Sequence, residues 1–122
     1  MYNKICLTIF LILSIFLVSC KNGATSEVEF VITNNEDCDL ENLVIYLTED
    51  SDVKTESVII GPKSTKKVIL DMTFAQARDG SYTISYDVNN QSKTKEFGYY
   101  TNGNPLENLI SIVFENSDLT VE

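Results

Sequence analysis

The sequence contains no histidine and no tryptophan, and only two prolines and five glycines among 122 residues. Without histidine, the chain cannot build a Ser-His-Asp or Cys-His nucleophilic site or a histidine-based zinc site. The glycines do not form a phosphate-binding or dinucleotide-binding motif. These absences predict that the protein is not an enzyme, has no catalytic residues and uses no cofactor.

Basic residues are also scarce, since 9 lysines and arginines face 18 aspartates and glutamates, for a formal charge of −9. Proteins that bind nucleic acids present a basic patch or stripe to the phosphates. An acidic chain is instead repelled by phosphates and by anionic lipid head groups. Nucleic acid is therefore excluded as a partner.

The longest hydrophobic run, residues 5–18, carries no charge. It is shorter than the roughly 20 apolar residues that a membrane-spanning helix needs. Lys4 precedes it and small residues follow it. This order is typical of a secretory signal peptide, which is removed from the mature protein.

The run ends in Leu17, Val18, Ser19 and Cys20, which resemble the lipobox of bacterial lipoproteins. The resemblance implies that a diacylglyceryl group joins the Cys20 sulfur, that residues 1–19 are cut off, and that further acylation, as with palmitate, follows. Several acyl chains make a durable anchor, whereas one chain binds a membrane only marginally. The alternative is that Cys20 is an ordinary cysteine after a transmembrane or a cleaved signal segment, where it could pair with Cys38 in a disulfide.

The lipobox also implies a location in the cell envelope. Lys21 differs from the aspartate that retains lipoproteins in the inner membrane of enteric-type cells. The expected site is the outer membrane, or the outer face of the cytoplasmic membrane in a cell that has only one. The polar linker that follows Cys20, up to residue 26, spans roughly 13 Å as a flexible chain, so the domain is expected to lie close to the bilayer.

Cys38 is the one thiol left if Cys6 leaves with the signal peptide and Cys20 carries lipid. Asp37 and Asp39 flank it, and neighbouring negative charge disfavours a reactive thiolate. Cys38 is therefore interpreted as a small packing residue at a loop.

Beyond the linker, apolar and polar residues alternate with period two, which is typical of strands with one buried face. The predicted strands are residues 27–33, 43–48, 53–60, 66–72, 81–88, 93–101 and 109–115. No long helical pattern interrupts them. The pattern predicts one antiparallel β-sandwich of about seven strands over residues 27–122.

The layout of "VEFVITNN", "IGPKSTKKVIL" and "DGSYTISYDV" is similar to the immunoglobulin-like modules of bacterial surface proteins. The resemblance implies an immunoglobulin-like β-sandwich in which Tyr82 forms a tyrosine corner, its hydroxyl bonding to backbone. The chain departs from antibody-type domains because it lacks their tryptophan and paired core cysteines. Such a resemblance indicates a fold and not a function.

Two clusters of acidic residues contain carboxylates that could in principle bind calcium. They are Glu36, Asp37, Asp39 and Glu41, and then Glu49, Asp50 and Asp52. Neither has the EF-hand ligand order with its central glycine, and alternating strand directions place the clusters at opposite ends of a sandwich. They are interpreted as solvated turns, and no metal site is predicted.

The same alternation predicts that the loops around residues 48–52, 74–80 and 99–108 converge at one end. Tyr99 and Tyr100, with Asn102, Asn104 and Arg78, would supply aromatic faces and polar donors suited to sugar or peptide recognition there. The candidate ligand-binding residues are Tyr100, Asn102 and Asn104. The alternative is that Phe97 and Tyr99 pack in the core and Tyr100 covers an edge.

Three functions remain open from the sequence. The first is a lipid-anchored, non-enzymatic binding or accessory module that engages an envelope protein or a glycan near the membrane. The second is a structural component of a larger envelope assembly, and a less favoured third is a carboxylate-dependent hydrolase. The sequence does not indicate an oligomeric state.

Lipidation gives the first testable prediction. Mass spectrometry of the mature protein should find an acylated Cys20 at its amino terminus. Cys20→Ala should release the protein from the membrane fraction, and Cys38→Ala should not. A mature chain that begins elsewhere, or a Cys20→Ala variant that stays in the membrane, would contradict the lipobox interpretation.

Overall fold

The computed structural model describes residues 26–122. The predicted signal peptide, Cys20 and almost all of the linker lie outside the described residues, so the lipid anchor stays a prediction. Within residues 26–122, no helix is long and apolar enough to cross a membrane.

The described chain forms ten strands. They are β1 (Glu27–Asn34), β2 (Leu40–Leu47), β3 (Asp50–Lys54), β4 (Val58–Ile60), β5 (Ser64–Asp71), β6 (Gly80–Val88), β7 (Gln91–Thr101), β8 (Asn104–Pro105), β9 (Leu109–Glu115) and β10 (Asp118–Val121). One sheet has the order β10-β9-β1-β5, and the other has the order β3-β2-β6-β7-β8 with β4 also paired to β2.

The predicted all-β class is confirmed, with ten strands in two sheets, one of which curls into a half-barrel. The strand count of about seven was too low. The neighbours β1 and β9 run parallel, so the prediction of a wholly antiparallel sandwich was wrong for this pair. The immunoglobulin-like strand order itself stays a prediction.

The predicted strand at residues 53–60 divides into β3 and β4 because Thr55 interrupts the ladder. Its backbone N–H donates to the Ile45 carbonyl at 2.8 Å, and its hydroxyl accepts the Ile45 N–H at 3.1 Å. The side chain thus takes the place of a backbone acceptor. The chain turns away after Thr55 and pairs again with β2 at Val58.

Short hairpins add strands that the alternation did not reveal. The pairs Asn89 and Asn90, Asn102 and Gly103, and Asn116 and Ser117 all have positive φ. Positive φ at both central residues is what a two-residue type I′ hairpin requires. The last of these turns folds β10 back onto β9, so Leu119 and Val121 belong to a separate strand.

The two sheets enclose a core in which aromatic rings meet. Phe30 of β1 contacts Tyr82 of β6 and Phe97 of β7 edge-to-face, at centroid distances of 5.5 and 5.9 Å. The Tyr82 ring also lies 5.6 Å from that of Tyr100. Edge-to-face aromatic pairs stabilise packing beyond the area they bury. These rings join the two sheets.

The Tyr82 hydroxyl does not form the predicted tyrosine corner. It donates to the Met72 sulfur at 3.8 Å instead of returning to backbone. Thioether sulfur is a weak acceptor. The contribution of Tyr82 to stability therefore comes mainly from its buried ring.

Asn34 joins three segments at the end of β1 that is remote from Glu27. The side chain is fully buried, and its amide nitrogen contacts the carbonyls of Cys38, Ile60 and Gly61 at 2.7, 3.2 and 3.1 Å. Its oxygen accepts the Glu36 N–H at 3.0 Å. A buried amide without these partners would be costly.

Cys38 is half-buried, packs against the core and forms no disulfide within the described residues. This placement agrees with its interpretation as a small packing residue. Its carbonyl, not its sulfur, bonds to Asn34.

On one side of the domain, Lys95 joins β7 to β10. Its ammonium lies 3.2 Å from an Asp118 carboxylate oxygen and also donates to the Leu119 carbonyl. The hydrogen bond from Lys95 holds the pKa of Asp118 below its usual range. Since Asp118 is exposed, solvent weakens this ion pair. The pair links a strand of one sheet to a strand of the other.

The core geometry predicts different effects for two substitutions at Tyr82. Tyr82→Ala should lower the free energy of unfolding by about 3 to 5 kcal/mol, as large-to-small aromatic changes in a core do. Tyr82→Phe, the matched control, removes a weak hydrogen bond and should cost less than about 1 kcal/mol. Denaturant unfolding measures both. A larger loss for Tyr82→Phe would indicate that the hydroxyl has a stronger partner than Met72.

Candidate functional site

Three segments meet at one end of the domain, and we call residues 48–52, 73–79 and 102–108 the loop end. The Arg78 guanidinium donates to the Glu49 carbonyl at 2.7 Å, and the Gly103 N–H donates to the Arg78 carbonyl at 2.8 Å. The three predicted loops therefore do lie together. Arg78, one of the residues considered for ligand binding, holds them together instead.

The Glu49 carboxylate is the polar centre of the loop end. One of its oxygens accepts the Tyr100 hydroxyl at 3.1 Å and the Ser81 N–H at 3.3 Å. A Cβ atom at Gly80 would lie 2.2 Å from this oxygen and 2.4 Å from the Tyr100 hydroxyl. Glycine at position 80 is what allows the carboxylate and the phenol to approach the strand.

Tyr100 does not provide the exposed aromatic face expected from the sequence, because only 1% of it is exposed. The cause is a β-bulge: β7 has one more residue than β6 between the pairs Tyr82–Phe97 and Gly80–Tyr100. Gly98 adopts φ +64° at this point. The added residue shifts the alternation, so that Tyr100 faces the core and Tyr99 faces solvent.

The bulge also corrects the alternative interpretation. Phe97 lies in the core as that interpretation expected, but Tyr99 is 51% exposed. The Tyr99 hydroxyl donates to Asp79 at 3.3 Å. Tyr99 is thus the tyrosine of this pair that faces solvent beside the loop end, and the position of Gly98 between Phe97 and Tyr99 was the sequence signal for it.

Asn102 and Asn104 are exposed on the hairpin between β7 and β8. The Asn102 N–H donates to Asp79 at 3.0 Å, and the Asn104 amide donates to the Asn102 carbonyl at 3.0 Å. These bonds give both residues a role in the turn, while the Asn102 side chain remains open to solvent. Ligand binding by these two asparagines stays a prediction. Tyr100 cannot join them in binding a ligand, because it faces the core.

The acidic clusters lie at opposite ends of the strands, as the order of β1, β2 and β3 requires. Among the residues that the structure describes, no group of three or more aspartate, glutamate or cysteine side chains is placed to hold a metal ion. Glu49 binds Tyr100 and Ser81, and Glu36 accepts the Ser117 N–H at 3.2 Å. Both carboxylates therefore already stabilise the fold.

A second surface was not identified from the sequence. Within the described residues, no strand pairs with β5 on the side away from β1, and β3 and β4 contact β5 across a groove of about 400 Å³. The groove is lined by Thr55, Glu56, Val58, Lys67, Val68 and Ile69. The division of the chain at Thr55 opens it, and no local pattern in the sequence indicates that division.

Two buried tyrosines, Tyr82 and Tyr100, predict how the stability of the domain depends on pH. Burial, with smaller contributions from Tyr100 and Glu107, raises the pKa of Tyr82 to about 12. Burial and the hydrogen-bonded Glu49 raise the pKa of Tyr100 to about 12. An unfolded tyrosine titrates near pH 10, so the unfolded chain loses these protons first. Their contribution is complete below about pH 10 and is lost as the pH rises to about 12.

Urea unfolding from pH 9 to 12 measures this loss. Tyr82→Phe and Tyr100→Phe should each make stability fall less steeply between about pH 10 and 12, because each removes one titrating hydroxyl. Tyr46→Phe leaves both buried hydroxyls in place and is the matched control. Equal slopes in all three variants would show that these two phenols do not govern the alkaline transition.

Comparison of the chain with protein-family models, curated proteins and solved structures finds no match.

Proposed function

We propose that the protein is a lipid-anchored, non-enzymatic module of the cell envelope that binds an extended segment of an envelope protein along β5. The observation that carries this proposal is the unpaired edge of β5 beside an open groove. The lipobox at Cys20 supports attachment to the membrane, on the outer membrane where the cell has one. The resemblance to immunoglobulin-like surface modules is part of the same proposal.

An unpaired strand edge offers a row of backbone donors and acceptors to a peptide that adds as a further strand. Proteins commonly block such edges with lysine side chains, and β5 carries Lys66 and Lys67. The Lys67 ammonium lies 3.0 Å from Glu29 on the neighbouring β1, and the Lys66 ammonium donates to the Ile59 carbonyl at 3.2 Å. Both lysines are thus engaged within the domain, Lys67 with β1 and Lys66 with β4.

Apolar groups beside that edge supply the side-chain part of recognition. Val58 and Val68 line the groove, and Ile69 is 54% exposed next to them. Lys67 and Glu56 place one charge of each sign on its rim. A partner segment with alternating apolar residues, whose other face meets solvent, matches this surface.

Glycan recognition at the loop end is the second candidate, and the exposure of Tyr99 favours it. A sugar ring can stack on an exposed aromatic face while amides such as those of Asn102 and Asn104 bond to its hydroxyls. Tyr99 takes the role first assigned to Tyr100, whose ring is enclosed by the core. We rank this candidate second because most polar groups of the loop end already bond to one another.

Site-specific photocrosslinking in living cells tests the β5 proposal. A photoreactive residue in place of Ile69 should capture one defined envelope protein. The same residue in place of Ile59 is the matched control, because Ile59 is 59% exposed but does not line the groove. Only the position beside the β5 edge should give the adduct.

The captured partner then allows a binding measurement. Ile69→Ser should weaken its binding at least tenfold, whereas Ile59→Ser and Asn102→Ala should leave binding within about twofold, because a few central contacts dominate an interface. Equal crosslinking from both isoleucine positions would contradict the β5 proposal. Loss of binding in Asn102→Ala, or a specific signal on a glycan array, would favour the loop end.

A further inference from the structure

The described chain begins at the loop end. The Ser26 carbonyl accepts the Met72 N–H at 2.6 Å, and the Glu29 N–H donates to the Asn108 carbonyl at 2.9 Å. These bonds place the start of β1 beside the loop that follows β5 and beside the segment that precedes β9. An anchor at Cys20 would therefore hold the domain by its loop end.

The connection between Cys20 and the domain is short. Residues 21–26 reach at most about 20 Å when fully extended. The proposed lipid on Cys20 would hold this residue at a membrane surface. The loop end is then the part of the domain nearest to the lipid.

Some of the exposed apolar side chains lie at this same end. Phe74 is 87% exposed on the loop after β5, and Leu106 is 60% exposed after β8. Tyr99, Leu106 and Val121 line one cavity of about 180 Å³ whose lining is mostly apolar. Large exposed apolar groups on one side of a domain mark a contact with a membrane or a partner.

We propose that Phe74 and Leu106 form a membrane-contacting face that enters the interface of the bilayer and sets the domain upright on it. The inference rests on the membrane attachment through Cys20 that the proposed function includes. Amphipathic protein surfaces bind bilayers by burying apolar side chains a few ångströms into the head-group region. The short connection already holds the face there, so a small apolar surface is sufficient.

Charge selects the kind of lipid. The three segments of the loop end contain one basic residue, Arg78, and five acidic ones, which are Glu49, Asp50, Asp52, Asp79 and Glu107. Anionic head groups would be repelled by this surface. The face therefore fits a zwitterionic bilayer, such as one of phosphatidylcholine or phosphatidylethanolamine.

Spin labels on the full, lipidated chain test this orientation. In a Cys38→Ser background, Phe74→Cys and Leu106→Cys carry the label at the proposed face, and Ile59→Cys carries it at an exposed apolar position away from it. In phosphatidylcholine vesicles, the labels at 74 and 106 should be more accessible to oxygen than to a water-soluble nickel chelate. The label at 59 should show the reverse. Vesicles rich in phosphatidylglycerol should reduce the immersion at 74 and 106.

The controls separate this inference from the lipid anchor. Vesicle flotation and mass spectrometry of Cys20 report the anchor by themselves. If the protein floats with vesicles and all three labels lie in water, the membrane-contacting face is wrong while the anchor stands. If labels 74 and 106 lie in water in pure lipid but are shielded in native membranes, the face binds a protein, and the inference is also wrong. If the protein is not acylated and does not float, both proposals fail.

Discussion

The contact of Phe30 with Tyr82 and Phe97 is the interaction on which the rest of the structure depends. Phe30 belongs to one sheet and the other two rings belong to the second, so these contacts close the sandwich. The described domain has no tryptophan and no disulfide to perform this task. Its stability must therefore come from apolar burial between the layers. The strand edges and loops keep their positions only while these rings remain packed.

The β-bulge at Gly98 connects the packed core to the loop end. A Cβ atom at Gly98 would lie 2.9 Å from the Tyr82 ring, so a glycine is needed where β7 passes over it. The extra residue places Tyr100 in the core against Glu49 and leaves Tyr99 outside. One backbone irregularity thus decides which aromatic residue is structural and which is available to a ligand.

The two proposed surfaces are compatible in one orientation. If the loop end rests on the bilayer, the strands rise from it, and the free edge of β5 faces sideways along its length. A partner segment could then pair with β5 without displacing the domain from the membrane. The same orientation directs Asn34 and the segments that it joins away from the lipid, since they lie at the opposite end of β1.

Much of the fold could be predicted from local patterns. Alternation identified most of the strands and their buried residues, because a strand with one solvated face requires period two. The loop convergence followed from strand direction. The prediction that nucleic acid is not a partner and the proposal of a lipid anchor at Cys20 both come from the sequence alone. These inferences depend only on neighbouring residues or on composition.

Only the tertiary structure decided how the strands pair. The bulge at Gly98, the division of the chain at Thr55 and the parallel pairing of β1 with β9 depend on partners far away in the chain. Shifting the register by one residue moves a side chain to the other face, which is why Tyr100 could not be assigned from alternation. The open edge of β5 exists because no described strand pairs with it, and the absence of a distant partner leaves no trace in the local sequence.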